Sequence, residues 1–150
     1  MAKPFRLQPL VDLAEQRSQS AARILAMLKH QWQEAQSKQQ QLQDYLEEYR
    51  SRLHRQTQSG LSVLQWRDYQ AFMSKLELAI EAQGHEIERC RLSWENGQVA
   101  WQACEREVKV YATLRERHVE VERKIDARQD QRVQDEFSSS QHHRKNTSQE

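Results

Sequence analysis

The chain has 150 residues with 23 basic and 22 acidic side chains, a formal net charge of +1, and only 37% hydrophobic residues. A compact globule usually has an apolar fraction nearer about half, so a single globular core is disfavoured. The balanced charge argues against a nucleic-acid-binding protein, which would show a clustered basic excess. No apolar run approaches the ~18 residues of a membrane span, so we expect no membrane insertion.

The first predicted element is a long helix over residues 3–54. Apolar or aromatic residues recur there at every seventh position, at Leu7, Ala14, Ala21, Leu28, Ala35, Leu42 and Tyr49. This spacing is the pattern of a helix that packs lengthwise on a partner helix. More apolar residues lie beside the row, at Val11, Leu25, Trp32, Leu46 and Leu53. The apolar stripe is therefore wider than a strict two-stranded seam needs.

Residues 55–61 are predicted to form a turn that reverses the chain. Gly60 suits the left-handed conformation that often ends a helix. Ser62 followed by Gln65 is the pattern of a capping box, in which two side chains satisfy the free N–H groups at a helix start. A connection this short forces the flanking helices to run antiparallel.

The second predicted helix covers residues 62–137. Its seven-residue row consists of Trp66, Met73, Ile80, Ile87, Trp94, Trp101 and Val108. After Val108 the phase slips by about three residues, which overwinds a coiled coil locally. Residues 138–150 are polar and predicted to be a disordered tail. The predicted fold is all-α: a long antiparallel two-helix coiled-coil hairpin, forming one domain over residues 1–137.

Folding the two rows against each other gives a predicted register. If Tyr49 faces Tyr69, further pairs follow from the antiparallel arrangement, among them Ala35 with Gln83, Ala21 with Gly97, and Ile24 with Trp94. Large residues then mostly meet small or flexible ones, as a close-packed seam requires. A register shifted by one heptad would satisfy the same pairing rule.

The sequence carries no catalytic motif, and we expect no enzymatic activity and no cofactor. It has neither a glycine-rich phosphate loop nor a nucleophile elbow. Cys90 and Cys104 are four helical turns apart, roughly 21 Å, and cannot share a metal ion or a disulfide within one chain. Both are predicted to be small core residues. The N-terminus also lacks the apolar region of a signal peptide, which favours a cytoplasmic protein with reduced cysteines.

Several ordered motifs resemble the family of the flagellar export protein FliJ. They are "LQDYLEEYRSRL" before the turn, "WRDYQAFMSKLELAI" after it, and farther on "YATLRERH" and "DQRVQDEF". The resemblance covers residues 7–137. Four alternatives remain: a generic coiled-coil adaptor, the stalk of a virulence type III secretion system, a parallel homodimer that pairs the same heptads between two chains, and a nucleic-acid-binding coiled coil, which the balanced charge disfavours.

The resemblance implies a small non-enzymatic part of the bacterial flagellar type III export apparatus, at the cytoplasmic face of the inner membrane. The family's hairpin is similar to the central stalk, or gamma, subunit of rotary ATPases. The implied partners are the hexameric export ATPase, the transmembrane export gate protein and export chaperones. No nucleic acid is implied, and the free protein is expected to be a monomeric hairpin.

The resemblance also marks two candidate contact sites. Carried over by position, the export-gate site, here called the tyrosine patch, comprises Leu42, Tyr45, Tyr49, Phe72, Leu76 and Ala79. The contact with the ATPase ring is expected at Leu10, Leu13, Arg17, Trp101 and Tyr111. The apolar residues Leu46, Leu53 and Phe72 lie outside the two rows, so we expect an exposed apolar surface near the turn. The tyrosines are predicted both to close the seam and to bind a partner.

Overall fold

The structure is a computed structural model that describes residues 3–149. Helix α1 spans Gln8–Ser59 and helix α2 spans Val63–Thr147, and no strand occurs among the described residues. The predicted all-α class is confirmed. The helices pair in two units, described separately below. The turn unit is Gln19–Ala103, and the terminal unit consists of the described residues of 1–18 and 104–150.

The connection between the helices has the predicted chemistry. Gly60 has a φ of 95°, in the left-handed region where other residues are strained. The Ser62 backbone N–H donates to Gln65 Oε1 over 3.3 Å, and the Gln65 N–H donates to Ser62 Oγ over 3.2 Å. These reciprocal bonds form the capping box at the start of α2. The chain reversal at Gly60 and the capping box are therefore present, but the connection is shorter than the predicted turn over residues 55–61 because residues 55–59 belong to α1.

Three helix ends differ from the sequence prediction. Helix α1 begins at Gln8 rather than residue 3, which places Pro9 in the first turn, where its missing N–H is not needed. It ends at Ser59 rather than residue 54, because Gly60 is the first residue with a left-handed backbone. Helix α2 continues to Thr147, where we expected a disordered tail from residue 138. This fully exposed extension contains no proline that would stop it.

The core of the turn unit lies close to the chain reversal. Leu46, Met73 and Leu76 form a buried cluster, each with 7 or 8% of its surface exposed. Five half-buried residues pack against it, namely Leu42, Tyr49, Leu53, Phe72 and Ile80. This cluster fixes α1 on α2 next to the tyrosine patch.

Two contacts confirm the predicted antiparallel pairing in this part of the unit. The rings of Tyr49 and Tyr69 lie 5.0 Å apart. Farther from the turn, Gln83 Nε2 donates a 2.9 Å hydrogen bond to the Ala35 carbonyl. A residue earlier in α1 therefore contacts a residue later in α2, which is the arrangement of an antiparallel pair.

The predicted register is wrong farther from the turn. Trp94 packs on Trp32, with ring centroids 5.4 Å apart, instead of on Ile24, which is 51% exposed. A Cβ built on Gly97 would lie 2.7 Å from Leu28 Cδ1, so Gly97 faces Leu28 rather than the predicted Ala21. Trp32 lies beside the seven-residue row of α1. Its large ring fills the position opposite Trp94 that the heptad rule assigned to Ile24.

In the terminal unit, the N-terminal residues pack on the second helix. Ser18 Oγ donates to Glu105, and Arg17 lies 3.9 Å from a Glu107 carboxylate oxygen. The Phe5 ring lies 5.4 Å from the His118 ring. The buried residues of this unit are Val11, Ala14, Ser18 and Glu122. Residues closer to the N-terminus contact residues later in α2, so the N-terminal segment and α2 are antiparallel in this unit as well.

The glycines offer a matched stability test. We expect Gly60→Ala to lower the free energy of unfolding by about 1 kcal/mol, because an L-residue is strained at a φ of 95° although nothing lies within 4 Å of its Cβ. We expect Gly84→Ala to raise that energy by up to ~1 kcal/mol, since Gly84 is helical and the nearest atom is the flexible end of Gln39, 3.4 Å away. Urea unfolding followed by circular dichroism measures both. Equal effects of the two changes would contradict the backbone argument.

Candidate partner-binding site

Aromatic rings from both helices meet beside the core of the turn unit. The Tyr49 ring lies 4.5 Å from Phe72 and 5.0 Å from Tyr69. Tyr45 meets Phe72 edge-on at 6.0 Å and Tyr49 at 6.1 Å. These separations are typical of favourable aromatic pairs. Spacings of four residues on α1 and three on α2 place each pair on one helix face, which is why the four rings meet.

The residues of the tyrosine patch differ in what they offer a partner. Tyr45 is 44% exposed and is the ring of the cluster most open to solvent. Tyr49 and Phe72 are half-buried, and Leu76, at 8% exposed, belongs to the core. Ala79 is exposed. A partner that approaches this surface would therefore touch Tyr45 first, while Leu76 supports the rings from below.

Of the three apolar residues expected at an exposed surface near the turn, only Leu46 is buried. Leu46 is only 7% exposed and forms part of the core, and Leu53 and Phe72 are half-buried against it. The wide stripe of α1 lets the helix bury a position beside its seven-residue row. Leu46 follows Leu42 by four residues and precedes Tyr49 by three, so all three share one helix face. That spacing was the signal for burial.

Two further features define this surface. Tyr69 belongs to the ring cluster although it is not among the residues carried over from the family. A shallow groove also lies beside Tyr45, lined by Lys38, Gln41, Leu42, Tyr45 and Gln83. The groove combines an apolar floor with amide groups and one ammonium group. Such a surface offers hydrogen bonds as well as apolar contact to an extended partner segment.

The residues expected to meet an ATPase ring lie in both units. In the terminal unit, Leu10 and Leu13 are each 41% exposed, and Arg17 is paired with Glu107. Tyr111 is half-buried in the same unit. Trp101 belongs to the turn unit and is half-buried. The two leucines are therefore the most accessible apolar members of this set.

Ion pairs along α2 shift the pKa values of several glutamates. A hydrogen bond from Arg89 lowers the pKa of Glu86, and hydrogen bonds from Arg91 and Arg123 lower the pKa of Glu88 and of Glu120. Each pair is three residues apart on one helix, as expected for charges on a solvated face. Such pairs stabilise a helix only slightly.

The cysteines and other potential ligands do not form a metal centre. Cys90 is buried, as predicted for a core residue, and Cys104 is half-buried, and both are free thiols. Across residues 3–149, no group of three or more His, Cys, Asp or Glu residues is placed to hold a metal ion. The same part of the chain contains no helix that is long and apolar enough to cross a membrane.

Comparison with known proteins gives matches over nearly the whole chain. The family model described as "Flagellar FliJ protein" matches residues 2–147. Relatives with the name "Flagellar FliJ protein" from Salmonella typhi and from Escherichia coli K12 are each 30% identical over 138 residues. Each alignment covers 92% of this chain and 94% of the relative.

Proposed function

The chain belongs to the flagellar FliJ protein family, and from this premise we propose that it is a non-enzymatic component of the flagellar type III protein export apparatus. The observation that carries the proposal is the family match, which extends over both helices and the turn. The antiparallel pairing of α1 and α2 supports it, because a stalk-like export component needs long helices and no catalytic site.

Loss of the gene in the source bacterium tests this function. Cells without the protein should fail to swim and should export little flagellar filament protein into the medium. Expression of the wild-type chain from a plasmid should restore both. Normal filaments in the deletion strain would contradict an export role.

Within that role, the tyrosine patch is the proposed contact with the transmembrane export gate. The exposed face of Tyr45 and the groove beside it present an apolar surface with hydrogen-bonding edges. Tyrosine suits such a contact, because its ring buries apolar area while its hydroxyl keeps a polar partner. Tyr45 contacts the rings of Tyr49 and Phe72, which themselves pack on the core, and this restrains the Tyr45 ring before binding and lowers the entropic cost of association.

The terminal unit is the proposed contact with the hexameric export ATPase, whose ring the chain would enter as a central stalk. Leu10 and Leu13 are exposed there on α1, next to the buried Val11 and Ala14. Export chaperones are further proposed partners. The proposed location is the cytoplasm, peripheral to the inner membrane, where the ATPase and the gate meet.

The double variant Leu10→Ser with Leu13→Ser tests the ATPase contact. We expect stimulation of ATP hydrolysis by the purified export ATPase to fall about tenfold, since two accessible apolar side chains of the contact are lost. The matched control is Ile24→Ser with Met27→Ser, which removes two similarly exposed apolar residues of the turn unit. A phosphate-release assay measures the stimulation. Equal stimulation by both double variants would contradict the assignment.

A further inference from the structure

The charge around the turn differs from that of the chain as a whole. Residues 49–67 contain four arginines and one histidine but no aspartate or glutamate, in a chain of net charge +1. Arg50 pairs with Glu77 over 3.2 Å, and Arg52 pairs with Glu48 over 2.8 Å. Arg55 and Arg67 are exposed and make no ion pair within the described chain. The excess positive charge therefore lies on either side of Gly60.

Exposed apolar side chains lie between those two arginines. At the start of α2, Val63 is 70% exposed, Leu64 is 73% exposed and Trp66 is 47% exposed. None of the three belongs to the buried cluster of the turn unit. A soluble surface seldom gathers large apolar residues in this way without a partner. The turn thus combines an apolar apex with basic flanks. We call residues 55–67 the basic tip.

We propose that the basic tip docks on an anionic lipid surface. Leu64 and Trp66 enter the headgroup region, and the guanidinium groups of Arg55 and Arg67 bind lipid phosphates. Tryptophan favours the membrane–water interface, because its ring is apolar and its N–H remains hydrogen-bonded. Basic residues near an anionic leaflet add electrostatic attraction within a Debye length. The contact is interfacial and does not span the bilayer, so it modifies the expectation that the chain makes no membrane insertion.

The placement of these residues favours lipid over a protein partner. The apolar residues lie in the first turn of α2, directly after the chain reversal at Gly60, where Val63 and Leu64 are the most exposed of the three. The basic residues lie on both helices, Arg55 on α1 and Arg67 on α2, so they flank the apex as a planar anionic surface requires. Tyr45 is fourteen residues before Ser59, roughly 21 Å along α1. The nearest patch residues are Tyr49, six residues before Arg55, and Phe72, five residues after Arg67, so the basic tip adjoins the tyrosine patch but shares no residue with it. The inference does not depend on gate binding.

Vesicle co-sedimentation of the full-length chain tests the proposal. We expect the protein to bind vesicles of phosphatidylcholine mixed with an equal amount of phosphatidylglycerol, and not vesicles of phosphatidylcholine alone. Arg55→Glu with Arg67→Glu should lower the partition coefficient at least about tenfold, since each arginine near an anionic surface contributes appreciably. Leu64→Ser with Trp66→Ser should reduce it similarly. Raising the salt concentration should weaken binding of the wild type.

Matched controls separate the tip from the rest of the surface. Leu78 is 65% exposed in the turn unit, and Leu78→Ser should bind as the wild type does. Arg55→Lys with Arg67→Lys should also retain binding, because the charge is kept. Circular dichroism checks that every variant is folded. The proposal is overturned if wild type fails to bind anionic vesicles, or if Leu78→Ser loses as much binding as the tip variants. It is also overturned if the tip variants still bind vesicles but no longer bind the gate protein's cytoplasmic domain, because the tip would then be a protein contact.

Discussion

Tyr45→Ala is expected to weaken binding to the export gate about thirtyfold while leaving the melting temperature almost unchanged. A central interface aromatic can contribute more than about 2 kcal/mol to binding, which corresponds to that factor in the dissociation constant. Tyr45 is 44% exposed and touches the ring cluster from outside, so its removal leaves the buried core intact. The loss of unfolding free energy should stay below about 1 kcal/mol.

Calorimetric titration of the gate protein's cytoplasmic domain, together with thermal melting, measures both quantities. Tyr45→Phe is the conservative control: it keeps the ring contacts with Phe72 and Tyr49 and loses only the hydroxyl. We expect it to retain most of the affinity. If Tyr45→Ala loses stability in proportion to affinity, the ring is part of the core and not of a binding surface.

The neighbouring residue should behave in the opposite way. Leu46→Ala is expected to lower the free energy of unfolding by about 2–3 kcal/mol, because it empties a site that is 7% exposed. A chain of this length should then melt roughly 5–10 °C lower. Leu46 lies beneath the rings and supports them together with Met73 and Leu76. After correction for the unfolded fraction, the affinity of Leu46→Ala for the gate is expected to fall much less than that of Tyr45→Ala.

Leu78→Ala provides the control for this stability effect. Leu78 is 65% exposed on α2 and outside the core cluster, so its truncation should cost less than about 0.5 kcal/mol. Urea unfolding of both variants gives the two free energies. Similar values for Leu46→Ala and Leu78→Ala would mean that the cluster around Leu46 does not hold the helices together.

The connection between the helices could be predicted from the sequence because its signals are local. Gly60 specifies a left-handed residue, and Ser62 with Gln65 specifies the start of α2, whatever the rest of the chain does. The seven-residue rows likewise specify two paired helices. The Tyr49–Tyr69 contact followed from the rows and the turn together, since the pairing close to a short turn has little freedom.

The packing farther from the turn could not be predicted from the same rules. The heptad rule pairs positions without regard to side-chain volume. The large Trp32, which lies beside the row, and the small Gly97 change which residues meet. Leu46 was predicted to lie at an exposed surface for a similar reason, although a wide apolar stripe also buries positions beside the row. The proposal that Tyr45 contacts a partner rests on the family resemblance. Its exposed ring and adjacent groove are the structural features that agree with such a role.

Site-specific photo-cross-linking in living cells tests the central claim most directly, namely that this chain docks on the export gate through the tyrosine patch. A benzoyl-phenylalanine replaces Tyr45 in one strain and the 51% exposed Ile24 in a control strain. After irradiation, we expect a cross-linked product that an antibody against the gate protein detects for position 45 and not for position 24. A gate product at position 24 alone, or none at position 45 in a motile strain, would contradict the account.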